Sequence, residues 1–257
     1  MSRIYPASMD ETERIWPLPN DAAAERERHP AEWARYQFAA REVEGKRVLD
    51  CACGAGYGSA LILRSGAISV AGVDVDDAAL AHARLHFAGP TFLKGDGRTL
   101  PLADGTVDLV VSLETIEHVK DAPLFLDELA RVLAPEGMLI LSTPLTRGPA
   151  RLTPQNPYHL REYDEEELAA LVSVRFAIAE RLGQHSSASR NFANLKAGPG
   201  GGVLRLGLHR LVPRPLRAAA RRLLGRSAGN ERGPAAWVSA ERWTEAPVQI
   251  VVAKKRC

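Results

Sequence analysis

A chain of 257 residues has room for one large domain or two small ones, and a globule of that size buries roughly 70–75% of its unfolded surface. With 46% hydrophobic and 25% charged residues the composition excludes a disordered tail, and no stretch approaches the roughly 18 uninterrupted apolar residues of a bilayer span. The net charge of +2 conceals an asymmetry: residues 1–180 hold 18 Lys and Arg against 28 Asp and Glu, whereas residues 181–230 hold 10 against none. The first residues, Met1-Ser-Arg-Ile-Tyr-Pro6, lack an apolar signal core, and three cysteines make no disulfide framework, so a reducing cytoplasm is the expected compartment.

In chain order, the pattern predicts an N-terminal extension over residues 1–29, only partly ordered, and a helix from about Pro30 to Val43. Apolar runs rich in β-branched residues follow at Arg47–Cys51, Ser69–Val73, Thr91–Leu93, Val107–Ser112 and Met138–Thr143, and read as buried strands. Between them lie helices. Asp76 caps one with Leu80, Ala83 and Phe87 on a common face, and Asp121 caps another with Phe125, Leu129 and Val132. Strand and helix in alternation imply right-handed crossovers and a parallel sheet covered on both faces. Two more strands, near Val174–Ala179 and Val248–Ala253, complete a doubly wound, mostly parallel α/β sheet of seven strands. The main domain is thus expected over 30–182 and 247–257. An inserted lid at 183–246 contains a glycine-rich joint at Ala197–Gly202 and a short basic amphipathic helix with Pro215 at its first turn.

The stretch that carries chemistry is Val48-Leu-Asp-Cys-Ala-Cys-Gly-Ala-Gly-Tyr-Gly58, a strand that runs into a glycine-rich turn opening a helix. Glycines let a backbone approach a ligand closely, and the unpaired amides of a helix start suit a polar small molecule. A dinucleotide is excluded, because Gly54, Gly56 and Gly58 are spaced G-x-G-x-G rather than G-x-G-x-x-G. Acids end three successive strands, at Asp50, Asp74 and Asp96. Cys51 and Cys53 alternate along a strand and read as small buried residues.

This stretch resembles the first motif of class I S-adenosylmethionine-dependent methyltransferases, which have a Rossmann-like fold. Ala34–Ala40, Gly45–Asp50, Ser112–Val119, Arg131–Leu133, Ser142–Pro144 and Asn156–His159 extend the likeness to methyltransferases found with glycan-assembly enzymes. The resemblance implies S-adenosyl-L-methionine as cofactor. Asp50 is then expected to hold the methionine ammonium, Asp74 the ribose hydroxyls, and Asp96 with the Gly97 amide the adenine. Ala52, Gly54 and Gly56 form the turn, Val75 and Leu113 flank the strand ends, and Tyr36 or Arg35 closes over the methionine carboxylate. Ala52 stands where the family has its first turn glycine, a tolerable change unless that residue needs positive φ.

After the fourth strand, Glu114, Glu117 and His118 fall at i, i+3 and i+4, one face of a helix. Ubiquinone-biosynthesis O-methyltransferases resemble this segment, which implies a Mg2+ site here that would orient an acceptor hydroxyl; otherwise the two acids support the cofactor pocket and His118 is a packed residue. Past the fifth strand, Tyr158, His159 and Arg161 can face the methyl group, with His159, seconded by His118, as general base and Tyr158 and Arg161 toward the acceptor. The resemblance implies methyl transfer to a hydroxyl or phosphate of a sugar, glycan or glycolipid. A small secondary metabolite or quinone, or a non-catalytic cofactor-binding partner, are the competing readings. The basic insertion suits an anionic or lipid-linked acceptor at the inner membrane face, whereas nucleic acid is disfavoured because no aromatics are interleaved with the arginines. The oligomeric state stays open.

Overall fold

The computed structural model describes residues 16–18, 29–146, 156–184, 237–238 and 248–256. Helix α1 (Pro30–Ala39) and a 3-10 turn (Ala40–Glu42) lead into β1 (Arg47–Cys51), α2 (Tyr57–Arg64), β2 (Ser69–Asp74), α3 (Asp77–His86) and β3 (Thr91–Lys94). Then come β4 (Val107–Leu113), a 3-10 turn (Ile116–His118), α4 (Ala122–Val132), β5 (Leu133–Pro144), α5 (Glu165–Ser173), β6 (Phe176–Gln184), β7 (Trp237–Val238) and β8 (Val248–Lys255). The strands form one sheet in the order β3-β2-β1-β4-β5-β8-β6-β7. β1 pairs in parallel with β2 and β4, β2 with β3 and β4 with β5, whereas β8 enters antiparallel between β5 and β6.

Period-2 alternation along the strands splits the core into two layers. From β1, Leu49 and Cys51 join Phe125, Leu126 and Leu129 of α4 and Leu168 and Val172 of α5 on one face. Val48 points the other way, toward Tyr36 and Ala39 of α1 and Ile62 of α2. Both faces are therefore covered, which is why these strands read as continuous apolar runs rather than as polar–apolar alternation. The helices start where the sequence offers caps. Asp76 accepts from Ala79 N at 2.9 Å, Asp121 accepts from Leu124 N at 3.1 Å, and Asp164 forms a capping box with Glu167, each worth about 1 kcal/mol.

All seven expected strands are present, and the sheet has an eighth. β6 runs on to Gln184, and there residues 237–238 pair with Gly183 and Gln184 in antiparallel register, covering only that end of the edge among the described residues. Of the inserted segment at 183–246, only residues 183–184 and 237–238 are described; the glycine-rich joint and the basic helix lie outside the described residues, as does most of the extension at 1–29. No helix among the described residues is long and apolar enough to cross a membrane.

Candidate functional site

The turn after β1 is built by backbone geometry. Ala52, Gly54 and Gly56 adopt positive φ of 66°, 52° and 87°, folding the chain back so that the amides of Ala52 and Cys53 both donate to Val73 O at 2.8 and 3.1 Å. Gly54 N donates to Asp74 Oδ2 at 2.8 Å, and Asp76 N donates to Oδ1 at 2.9 Å. Asp74 thus locks the turn while each oxygen retains a lone pair. The glycines divide the labour: a Cβ on Gly56 would strike Ala83 and Phe92, and one on Gly58 would lie 2.1 Å from the Tyr36 ring, whereas one on Gly54 would meet nothing within 4 Å. Gly54 is the open side of the turn. Val75 and Leu113, both half-buried, sit next to the ends of β2 and β4.

The strand register brings the three acid-bearing ends side by side, Cys51 opposite Val73 and Asp74 opposite Lys94, and the buried Cys51 thiol between them is pushed up by burial and then by Asp50, Asp74 and Asp96. Their carboxylates do different things. Asp50 is fully buried and points inward, accepting from Ser59 Oγ at 2.6 Å and from Tyr36 OH at 3.1 Å. Burial pushes its pKa to about 7, the two hydroxyls pull it down, and Asp74 adds to the rise. Asp50 and Tyr36, expected at the methionine ammonium and carboxylate, are bonded to each other beneath the turn. Arg35 is buried too, donating to Gln184 Oε1 at 2.7 Å and lying 3.9 Å from Glu114 Oε2. Asp96 meets the Arg98 guanidinium through both oxygens at 3.1 and 2.8 Å, which holds it below the usual carboxylate range. Gly97 is packed, since a Cβ there would lie 2.5 Å from Phe125.

The helix expected to align Glu114, Glu117 and His118 does not form. Only a single turn, Ile116–His118, follows β4, and Glu114 sits before it at a φ of 50°. Its N–H reaches Ser142 O and Oγ at 3.0 and 3.1 Å while its Oε1 accepts from Ser142 Oγ at 2.7 Å. Those bonds tie the Glu114 side chain to β5. Glu117 is 1% exposed: Oε2 accepts from Thr143 Oγ1 at 2.8 Å, and Oε1 has no hydrogen-bond partner. Burial, with Glu114 nearby, pushes its pKa well up.

What joins Glu117 and His118 instead is His159. Leu160 N and Arg161 N both donate to Glu117 O, at 2.8 and 3.2 Å, and pin the loop at 156–163 against the 3-10 turn. The His118 and His159 rings then meet edge to face with centroids 5.0 Å apart. His118 Nδ1 donates to Tyr158 O at 2.9 Å. His159 Nδ1 donates to Glu162 Oε1 at 3.1 Å, and its Nε2 accepts from Asn156 Nδ2 at 3.0 Å. Ligand atoms of Glu117, His118 and His159 lie within 4.8 Å of one another. Arg161, expected toward an acceptor, pairs instead with Glu167 at 2.8 Å and lies 5.4 Å over the Tyr163 ring, because the acidic start of α5 attracts it.

Residues 49–141 match the family model for a methyltransferase domain. A protein of Mycolicibacterium smegmatis, named as a probable S-adenosylmethionine-dependent methyltransferase, is 38% identical over 180 residues, 69% of each chain. This chain belongs to the class I S-adenosylmethionine-dependent methyltransferases. A like-named methyltransferase of Mycobacterium tuberculosis is 41% identical over 139 residues, 53% of this chain and 50% of that one. The ubiquinone biosynthesis O-methyltransferase of Rhizobium etli is 34% identical over 122 residues, 46% and 49% of the two chains. Among solved structures, a methyltransferase of Thermotoga maritima superposes with a TM-score of 0.58 at 18% identity, over 92% of this chain and 95% of that one. For this methyltransferase the cofactor fits the turn on structural grounds: one glycine with open space before it, and Asp74 with lone pairs to spare.

Proposed function

We propose that this methyltransferase modifies a hydroxyl of a sugar, glycan or glycolipid intermediate. The observation that carries the oxygen acceptor is the histidine pair beside β4 and β5, because a hydroxyl must lose a proton as it is methylated, and a neutral imidazole nitrogen can accept it. When bound, S-adenosylmethionine supplies a methyl carbon on a positively charged sulfur. Asp74 would accept from the ribose hydroxyls, the Gly54 turn would lie along the methionine portion, and Asp96 with the Gly97 amide would face the adenine, flanked by Val75 and Leu113. Asp50 acts beneath them, fixing Tyr36 and Ser59 so that the turn keeps its shape.

On the acceptor side Glu162 sets the tautomer of His159 with the proton on Nδ1, so Nε2 is the nitrogen that takes up a proton once Asn156 yields it. The run of 10 cations without an acid over residues 181–230 supports an anionic or lipid-linked acceptor near a membrane surface. A quinone or small phenolic acceptor is the second reading, favoured by the Rhizobium etli relative.

The test pairs calorimetry with turnover. Asp74→Ala should weaken S-adenosylmethionine binding by about 1.5–3 kcal/mol through loss of charge-assisted hydrogen bonds. Unchanged affinity would show that the ribose lies elsewhere. His159→Ala should lower turnover by about 10²–10⁴ while cofactor affinity is spared. Methylation of lipid-linked phosphoglycans but not of free phenols would support the glycan acceptor, and the reverse would select the quinone.

A further inference from the structure

We infer that Glu117, His118 and His159 form a binding site for a divalent transition-metal ion of the Zn2+ type. Two imidazoles and one carboxylate are a donor set that zinc takes with a fourth position left open, whereas Mg2+ prefers oxygen ligands throughout. The set differs from the one the sequence suggests, since Glu114 is tied to Ser142 and the third donor comes from a loop 41 residues further along the chain.

Three independent features prepare the site. First, Glu117 Oε1 is a buried carboxylate oxygen with no hydrogen-bond partner, 4.0 Å from His118 Nε2. Ionised, an oxygen left so would cost several kcal/mol in the folded state, and a cation would offset that cost. Second, both rings are already oriented as metal ligands are, with Nδ1–H given to a carbonyl in one case and to a carboxylate in the other, which leaves Nε2 as the ligating nitrogen. Third, the backbone bonds from Leu160 and Arg161 to Glu117 O hold the two ligand-bearing segments together whether or not an ion is present. Zinc bonds of about 2.0–2.1 Å place ligand atoms roughly 3.3–3.5 Å apart, so side chains now within 4.8 Å close by about 1 Å, and His159 Nε2 exchanges Asn156 for the metal.

The inference deepens the methyl-transfer reading without depending on it for the site's location. With His159 Nε2 held by the ion, the ion replaces that nitrogen as the group that promotes proton loss: it would bind the acceptor hydroxyl at its open position and lower that hydroxyl's pKa, so that the oxygen reaches the methyl carbon as an alkoxide, the proton passes to solvent, and sulfur keeps the electron pair of the broken bond.

The experiment is calorimetric titration of the purified full chain, stripped with EDTA and dialysed, with ZnCl2, CoCl2 and MgCl2. One Zn2+ per chain is expected, with a tetrahedral absorption spectrum for Co2+ and at least tenfold weaker Mg2+ binding. Glu117→Gln, His118→Ala and His159→Ala should each weaken Zn2+ at least tenfold, with far-UV circular dichroism confirming the fold. His82 and His86 on α3, ring centroids 4.3 Å apart, are the competing surface pair, and the double variant His82→Ala/His86→Ala should bind as the parent does. Binding lost in that double variant but kept in Glu117→Gln overturns the site, as does the absence of any Zn2+ binding. Site-specific Zn2+ in a chain that methylates no acceptor would leave the metal standing and remove the oxygen-acceptor reading.

Discussion

At the scale of single residues, the turn after β1 holds a conformational cost. Ala52 has a φ of 66°, where a Cβ crowds the following carbonyl and an L-residue loses about 1–2 kcal/mol. Glycine removes that cost and adds back about 0.5–1 kcal/mol of chain entropy in the unfolded state. Ala52→Gly is therefore expected to stabilise the protein by about 0.5–1 kcal/mol in urea unfolding with the slope unchanged. A destabilisation would mean that the methyl group makes a contact worth more than the backbone strain. Glu114, also at positive φ, has its backbone N–H bonded to both Ser142 O and Oγ, so relief there would loosen the end of β4 from β5 rather than help.

At the scale of elements, α1 and α2 are matched by one missing side chain. Gly58 lies inside α2, where alanine would ordinarily gain about 1 kcal/mol, yet its Cβ would overlap the Tyr36 ring. Tyr36 cannot retreat easily, since its hydroxyl is bonded to Asp50 and its ring meets Tyr57 at 5.2 Å. Gly58→Ala should thus destabilise by about 1–3 kcal/mol despite its better helix propensity, and Gly58→Ala with Tyr36→Leu should recover part of that loss in the same unfolding assay. The strands are legible in the sequence because burial on both faces leaves uninterrupted apolar runs, and the caps are legible because Asp76, Asp121 and Asp164 stand just ahead of periodic segments. What the sequence hides is direction. Asp50, Asp74 and Asp96 all end strands, but period-2 alternation and the hydroxyls of Ser59 and Tyr36 turn Asp50 inward, and Arg98, two residues away, occupies Asp96. The Glu117–His118–His159 cluster is hidden for a different reason: a helical reading of residues 114–118 needs more than the one turn that Ile116–His118 supplies. His159 arrives through tertiary backbone bonds that no local spacing encodes.

At the scale of the whole molecule, the buried acids set how stability answers to pH. Asp50 has a folded pKa of about 7 against 3.8 for an ordinary aspartate, so between those values the folded state holds a proton that the unfolded chain has released. Stability from this group is complete below about pH 4 and is lost as pH rises through 7. Asp96, Asp108 and Glu128 act in the opposite sense, since arginine partners hold them low; their contribution is present above the ordinary carboxylate range and is lost as pH falls. Buried Glu117 shares the sign of Asp50. The two groups are separated by taking the difference between the parent and Asp50→Asn, an isosteric change whose amide can still bond the two hydroxyls. The parent's advantage over Asp50→Asn should shrink by about 2–3 kcal/mol between pH 5 and pH 8, with the steepest change near pH 5–6 and a levelling-off above pH 7. A difference that stays flat across that range would mean that Asp50 is ionised throughout. In that event a fixed negative charge, not a shared proton, underlies the cofactor turn, and a cationic donor bound above it would be attracted equally at pH 5 and pH 8.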